Sequence, residues 1–162
     1  MNALRFAMLV GALLVAEAAQ AGTGRQTTTF LVDAGEPAVC RWIERNFSAL
    51  DESAGAEVLS VQGPQSTLRK DTKEGIVNFV VEHAVERHGG YRTVLLKSDR
   101  ADLVSQETEI HVEREGKVSR ITIRVIATVS DHSAMAISLG IRPSLRGMRR
   151  LFEGQFGSPN NS

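Results

Sequence analysis

The sequence predicts an α+β fold, with an antiparallel sheet from the middle of the chain and a long amphipathic helix at its end. Three observations carry this. Apolar residues alternate with polar ones from Val58 to Val129, the period of a half-buried strand. Between Ala134 and Phe156 they recur every third or fourth position, which draws one stripe along a helix. Facing residues also match in two candidate hairpins, apolar with apolar and acid with base.

The chain opens with Arg5, an apolar run from Phe6 to Ala16 and the small residues Ala19 and Ala21 around Gln20. Residues 1–21 thus have the form of a cleavable secretory signal peptide, which places the mature chain in the periplasm or outside the cell. The run is shorter than the ~20 apolar residues of a spanning helix. Residues 22–157 then form a single domain, and residues 158–162 a disordered tail.

"RQTTTFLVDA" is rich in β-branched residues and predicts a strand. Pro37 follows at a favourable first helical turn, and Val39, Ile43 and Phe47 recur at spacing four, so one helix is expected through Leu50. "VLSVQGPQSTLRKD" reads as a strand interrupted at Gly63-Pro64. In "IVNFVVEHAVER", Val77, Phe79, Val81, His83 and Val85 share a face. A two-residue turn at Gly89-Gly90 would set Val85 against Val94, His83 against Leu96 and Glu82 against Lys97. A turn at Glu115-Gly116 would set Ile110 against Ile121, Thr108 against Ile123 and Glu107 against Arg124. After "KVSRITIRVIATV" the helical stripe runs through Ala134, Ile137, Ile141, Leu145, Met148, Phe152 and Phe156. Pro143 should kink this helix or start a second one.

Composition excludes some functions. Lys plus Arg and Asp plus Glu both number 19, and a neutral chain lacks the excess cations that hold nucleic acid. Cys40 is the single cysteine, so no intrachain disulfide forms; it reads as a small hydrophobe on a helix. No GxSxG, Walker, CxxC or HExxH pattern occurs, so the sequence names no reaction, metal or cofactor. Glu109, His111 and Glu113 alternate on one strand face in a spacing that could ligate a metal, but the inward register of Thr108, Ile110 and Val112 turns them to water. "NFS" at Asn46 falls in a predicted helix, where a glycosylation acceptor is a chance match.

The order of these elements resembles that of the START-like superfamily, in particular the small bacterial polyketide cyclase and lipid-transport-like proteins (helix-grip, SRPBCC). The stretches that carry the resemblance are "TTFLVDAGEPAVCRWI", "EVLSVQGPQSTLRKD", "VSRITIRVIATV" and "SLRGMRRLFEGQF". The resemblance implies a curved antiparallel sheet wrapped around the C-terminal helix, with an apolar small molecule often held between them. It carries over no catalytic set.

On that arrangement, Phe79, Val81, His83, Ile123, Val125, Met148 and Phe152 are the expected lining of a ligand pocket. His83 would be its polar contact, or else a hydrogen-bonded core histidine. The leading reading is a secreted or periplasmic binding protein for a lipid or other apolar molecule. The alternatives are a cyclase or hydratase using His83, and a non-catalytic envelope interaction protein whose core is filled. Arg142, Arg146, Arg149 and Arg150 lie off the apolar stripe, as a solvated face with an Arg149–Glu153 pair, or as a surface for anionic membrane.

Overall fold

The structure, a computed structural model, describes residues 21–159. The expected signal peptide and the end of the expected tail lie outside those residues. Seven strands make one antiparallel sheet: β1 (Gly22–Val32), β2 (Glu57–Gln62), β3 (Gln65–Thr72), β4 (Gly75–Val85), β5 (Gly90–Ser98), β6 (Leu103–Glu115) and β7 (Val118–Val129). Their order across the sheet is β1-β7-β6-β5-β4-β3-β2. Two short helices, α1 (Glu36–Arg45) and α2 (Phe47–Ser53), connect β1 to β2, and α3 (Ala134–Phe156) closes the chain.

The first strand and the helix after it form where expected, with Pro37 in the first turn of α1. The helix does not run on to Leu50. It breaks at Asn46, whose backbone leaves helical geometry, and α2 starts in a new direction. The side chain of Asn46 donates to the Trp42 carbonyl at 2.6 Å, taking a carbonyl at the end of α1. Val39, Ile43 and Leu50 are buried, and Cys40 packs beside them from α1.

Both hairpin registers differ from expectation. The second turn falls at Gly116-Lys117, so Glu115 faces Val118 and Ile110 faces Ile123. A shift of two residues preserves the faces. Glu109 therefore meets Arg124 at 3.1 Å, while Glu107 binds Arg92. The first turn needs more chain, with His88 and Gly89 both at positive φ and Gly90 already in β5. Glu86 donates its N–H to the Gly90 carbonyl at 2.8 Å. Val85 faces Tyr91, and His83 faces Thr93. This shift is of three residues, so the opposite face of β5 turns inward: Tyr91 is buried, and Leu96 is exposed.

Pro143 neither ends α3 nor starts another helix. It sits on the exposed side, where water can reach the carbonyl that loses its intrahelical partner. Ile137, Ile141, Leu145, Met148 and Phe152 form the buried stripe. α3 packs chiefly on β1, and Gly24 permits the approach, since a Cβ there would lie 2.6 Å from Ile137. Its next contacts are with α2 and β7. Farther across the sheet, Leu68 of β3 with Phe79 and Val81 of β4 forms a separate apolar cluster.

Candidate functional site

Between that cluster and the main core lies a cavity of about 320 Å³. Its floor is the inner face of β3 to β7, including Leu68, Phe79, Thr93, Ile110 and Ala127, and its roof is Leu50 and Asp51 of α2 with Ile137, Ile141 and Met148 of α3. It exists because α3 rests on the β1 edge of the sheet, leaving the inner face of β3 to β5 without that helix packed closely against it. Its volume is at the lower end of the ~300–1,000 Å³ typical of small-molecule sites.

Of the residues expected from sequence to line a pocket, Phe79, Val81, Val125 and Met148 border this cavity. Ile123, Phe152 and His83 do not. Ile123 and Phe152 are wholly buried in the main core, and Phe152 packs its ring against Phe30, Trp42 and Phe156. The alternation in β7 explains the difference. Residues 121, 123, 125 and 127 all point inward, but only those beyond the footprint of α1 and the end of α3 meet open space.

His83 is 8 % exposed and closed off from the cavity by its own partners. Nδ1 lies 2.9 Å from the Thr93 hydroxyl, and Nε2 lies 3.1 Å from Ser66 Oγ and 3.2 Å from Asp51 Oδ2. Its ring stacks on Phe47, with centroids 4.6 Å apart. The oxygens around Nε2 favour the ring proton there, so Thr93 donates to Nδ1. Asp51 Oδ2 is buried and receives no directed hydrogen bond, although it lies within ion-pair distance of the ring. Both nitrogens of His83 are thus engaged inside the protein. Asp51 and Thr93 border the cavity in its place.

Sequence reasoning missed two polar features. The first is Lys70 on β3, which borders the cavity and donates to the Ala54 carbonyl at 3.0 Å and to Ser144 Oγ at 3.1 Å. Burial holds its ammonium below the usual lysine range. The only sequence signal was its spacing of two from Leu68. The second is a cluster at one end of the cavity, drawn from three loops. Arg100 binds Asp102 through two bonds of 2.6 and 2.7 Å and Glu74 at 2.7 Å, with His132 3.8 Å from Glu74 and 3.9 Å from Asp102. The guanidinium beside Asp102 holds its carboxyl below the ordinary range.

Glu74, Asp102 and His132 lie close enough together to hold a metal ion. Arg100 already pairs with both carboxylates, so a cation there would compete with its guanidinium for the same oxygens. Glu109, His111 and Glu113 do not form one site: His111 lies 3.5 Å from Glu113 on the exposed side, while Glu109 is paired with Arg124.

Arg142, Arg146, Arg149 and Arg150 are all exposed, and Arg149 pairs with Glu153 at 2.7 Å. Met135 and Leu139, 73 % and 48 % exposed, continue the same outer side of α3 toward Ala136 and Gly140, which border the cavity. No helix among the described residues is long and apolar enough to cross a membrane.

No protein-family model matches the chain. No curated protein matches it in sequence. Solved structures do match in shape. A START superfamily protein from Mycobacterium smegmatis superimposes with a TM-score of 0.64 at 14 % identity, over 82 % of this chain and 96 % of its own. The ginseng major latex-like protein 151 from Panax ginseng gives 0.54 at 8 % identity, over 80 % and 97 %. The Zhui aromatase/cyclase from a Streptomyces species gives 0.51 at 10 % identity, over 81 % and 87 %. At such identities the likeness is one of fold.

Proposed function

From the START-like helix-grip fold that this chain has, we propose that it is a binding protein for an apolar small molecule such as a lipid, carried between the sheet and α3. The observation that carries the reading is the cavity itself, which separates two buried apolar clusters that would otherwise have packed together. A chain stabilised only by its own packing fills such a space, because interiors are close-packed and unfilled volume is costly. The form of residues 1–21 supports action in the periplasm or outside the cell. The catalytic reading of His83 lacks support, since neither ring nitrogen faces the cavity. The filled-core reading is disfavoured by the same open volume.

Protein purified without denaturation should release a co-purifying lipid detectable by mass spectrometry, or take up a neutral environment-sensitive probe one to one. Val125→Trp fills the floor, and Ala136→Trp obstructs the exposed border. Each should cut uptake at least about tenfold while the protein still melts cooperatively, since filling the space displaces several methylenes worth about 0.8 kcal/mol each. Uptake unchanged in both variants would refute the site.

A second reading adds to the first. The exposed Met135 and Leu139 beside the basic side chains of α3 favour docking on an anionic membrane, where ligand would be exchanged. Arg146→Glu with Arg150→Glu should then abolish binding to vesicles of anionic lipid at low salt. Thermal stability should change by less than about 1 kcal/mol, as for other exposed charges. Equal vesicle binding by wild type and variant would dismiss the docking surface.

A further inference from the structure

An inward-facing lysine breaks the pattern of its strand. Leu68, Lys70 and Thr72 alternate on the cavity side of β3, and an ammonium there loses hydration that only hydrogen bonds or an anion restore. Its partners are both uncharged oxygens. Nζ donates to the Ala54 carbonyl and to Ser144 Oγ, while the Ser144 hydroxyl donates to the same carbonyl at 2.9 Å. Two of the three N–H groups of the ammonium are thereby used. No carboxylate pairs with Lys70 among the described residues.

The other charged groups of the cavity wall are turned to protein partners. Arg100 is held by Asp102 and Glu74, with His132 beside the same carboxylates. Asp51 Oδ2 is turned to the ring of His83. The two oxygens that fix Lys70 come from the end of α2 and the middle of α3, so Nζ is anchored between the helices at the cavity border rather than free to swing out to water.

We infer that Lys70 is the head-group contact of this cavity and that the ligand bears a single carboxylate on an apolar body. The carboxylate meets Nζ, and the body lies over Leu68, Phe79 and Val125. The inference rests on the carrier reading and narrows it to anionic amphiphiles. A lysine that only caps α2 and ties it to α3 would contribute to stability and show no preference for an acid.

The test compares dodecanoic acid with dodecanol, two probes of one chain length that differ in the head group. Affinities are read by displacement of a neutral fluorescent probe from the wild-type chain and from Lys70→Met and Lys70→Arg. The wild type should bind the acid at least about tenfold more tightly than the alcohol, as expected for charge-assisted hydrogen bonds. Lys70→Met should lose that preference, and Lys70→Arg should retain it. Independently of how the variants fold, isotope-edited spectra of the wild type with bound acid should show contact between the ligand C2 protons and the Lys70 ε-methylene. Equal binding of acid and alcohol by the wild type, a preference that survives Lys70→Met, or bound acid without that contact would each overturn the assignment and leave the carrier reading standing. Binding of neither probe, nor of any other lipid offered, would overturn both.

Discussion

Phe152→Ala should lower the free energy of unfolding by about 3–5 kcal/mol, the usual cost of removing a large aromatic side chain from a packed core. Phe152 has no exposed surface, and its ring centroid lies 6.0 Å from Phe30 of β1, 5.5 Å from Trp42 of α1 and 6.5 Å from Phe156. One side chain therefore joins the edge of the sheet, the first helix and the last. Against the ~5–15 kcal/mol of a whole domain, its loss is a large fraction. Denaturant titration measures the change, and a value under about 1 kcal/mol would mean that Trp42 and Phe156 close the gap. Because Phe152 does not border the cavity, uptake by the folded variant should stay close to wild type.

Gly147→Ala should destabilise, against the general tendency of helices. An interior helical glycine replaced by alanine ordinarily gains up to about 1 kcal/mol. At Gly147 the added Cβ would lie 1.8 Å from the Ser53 carbonyl oxygen, which belongs to backbone and cannot rotate away. α2 would have to retreat from α3, at a cost of about 1–3 kcal/mol. Gly154→Ala is the control, since nothing lies within 4 Å of its Cβ position, and it should stabilise. Thermal melts of the two variants should move in opposite directions. A Gly147→Ala protein as stable as Gly154→Ala would mean that α2 yields freely, and the roof of the cavity would then be soft.

How much of this was legible depends on whether a residue's face was fixed by its neighbours. The stripe of α3 was plain, because Ile137, Ile141, Leu145 and Met148 recur on one side and the arginines on the other. The β6–β7 register was wrong by two residues, yet the inward set survived because a strand repeats every second position. The β4–β5 register was wrong by three. β5 reads Tyr91, Thr93 and Leu95 on one face and Val94 and Leu96 on the other, so apolar pattern could not choose between faces. The turn at His88 and Gly89 settled it instead. His83 thereby gained a hydroxyl partner where a leucine was expected, which is why it belongs to an internal network and not to the pocket face.

Other parts of the site were hidden for different reasons. Ile123 and Val125 are indistinguishable by alternation, and only the placement of the helices decides which one meets open space. Lys70 was passed over because an ammonium has no place in an apolar pattern, and Ala54 and Ser144, which make its position tenable, lie far from it in sequence. The Arg100 cluster is likewise assembled from three separate loops.

The strand order has a consequence for how the chain reaches this structure. β1 pairs with β7, so that Thr23 meets Thr128 at a sequence separation of 105, and α3, the last element, rests on that same first strand. Closing so long a loop costs entropy before any contact returns it, and folding dominated by distant pairings is slow. A chain emerging from its N-terminus first can form the β3–β4 and β6–β7 hairpins early, but β1 has no partner until nearly all of it has been made. Under the proposed exported reading, the segment before β1 would reach the export machinery while its neighbour is still unpaired, and the delay would keep the chain threadable.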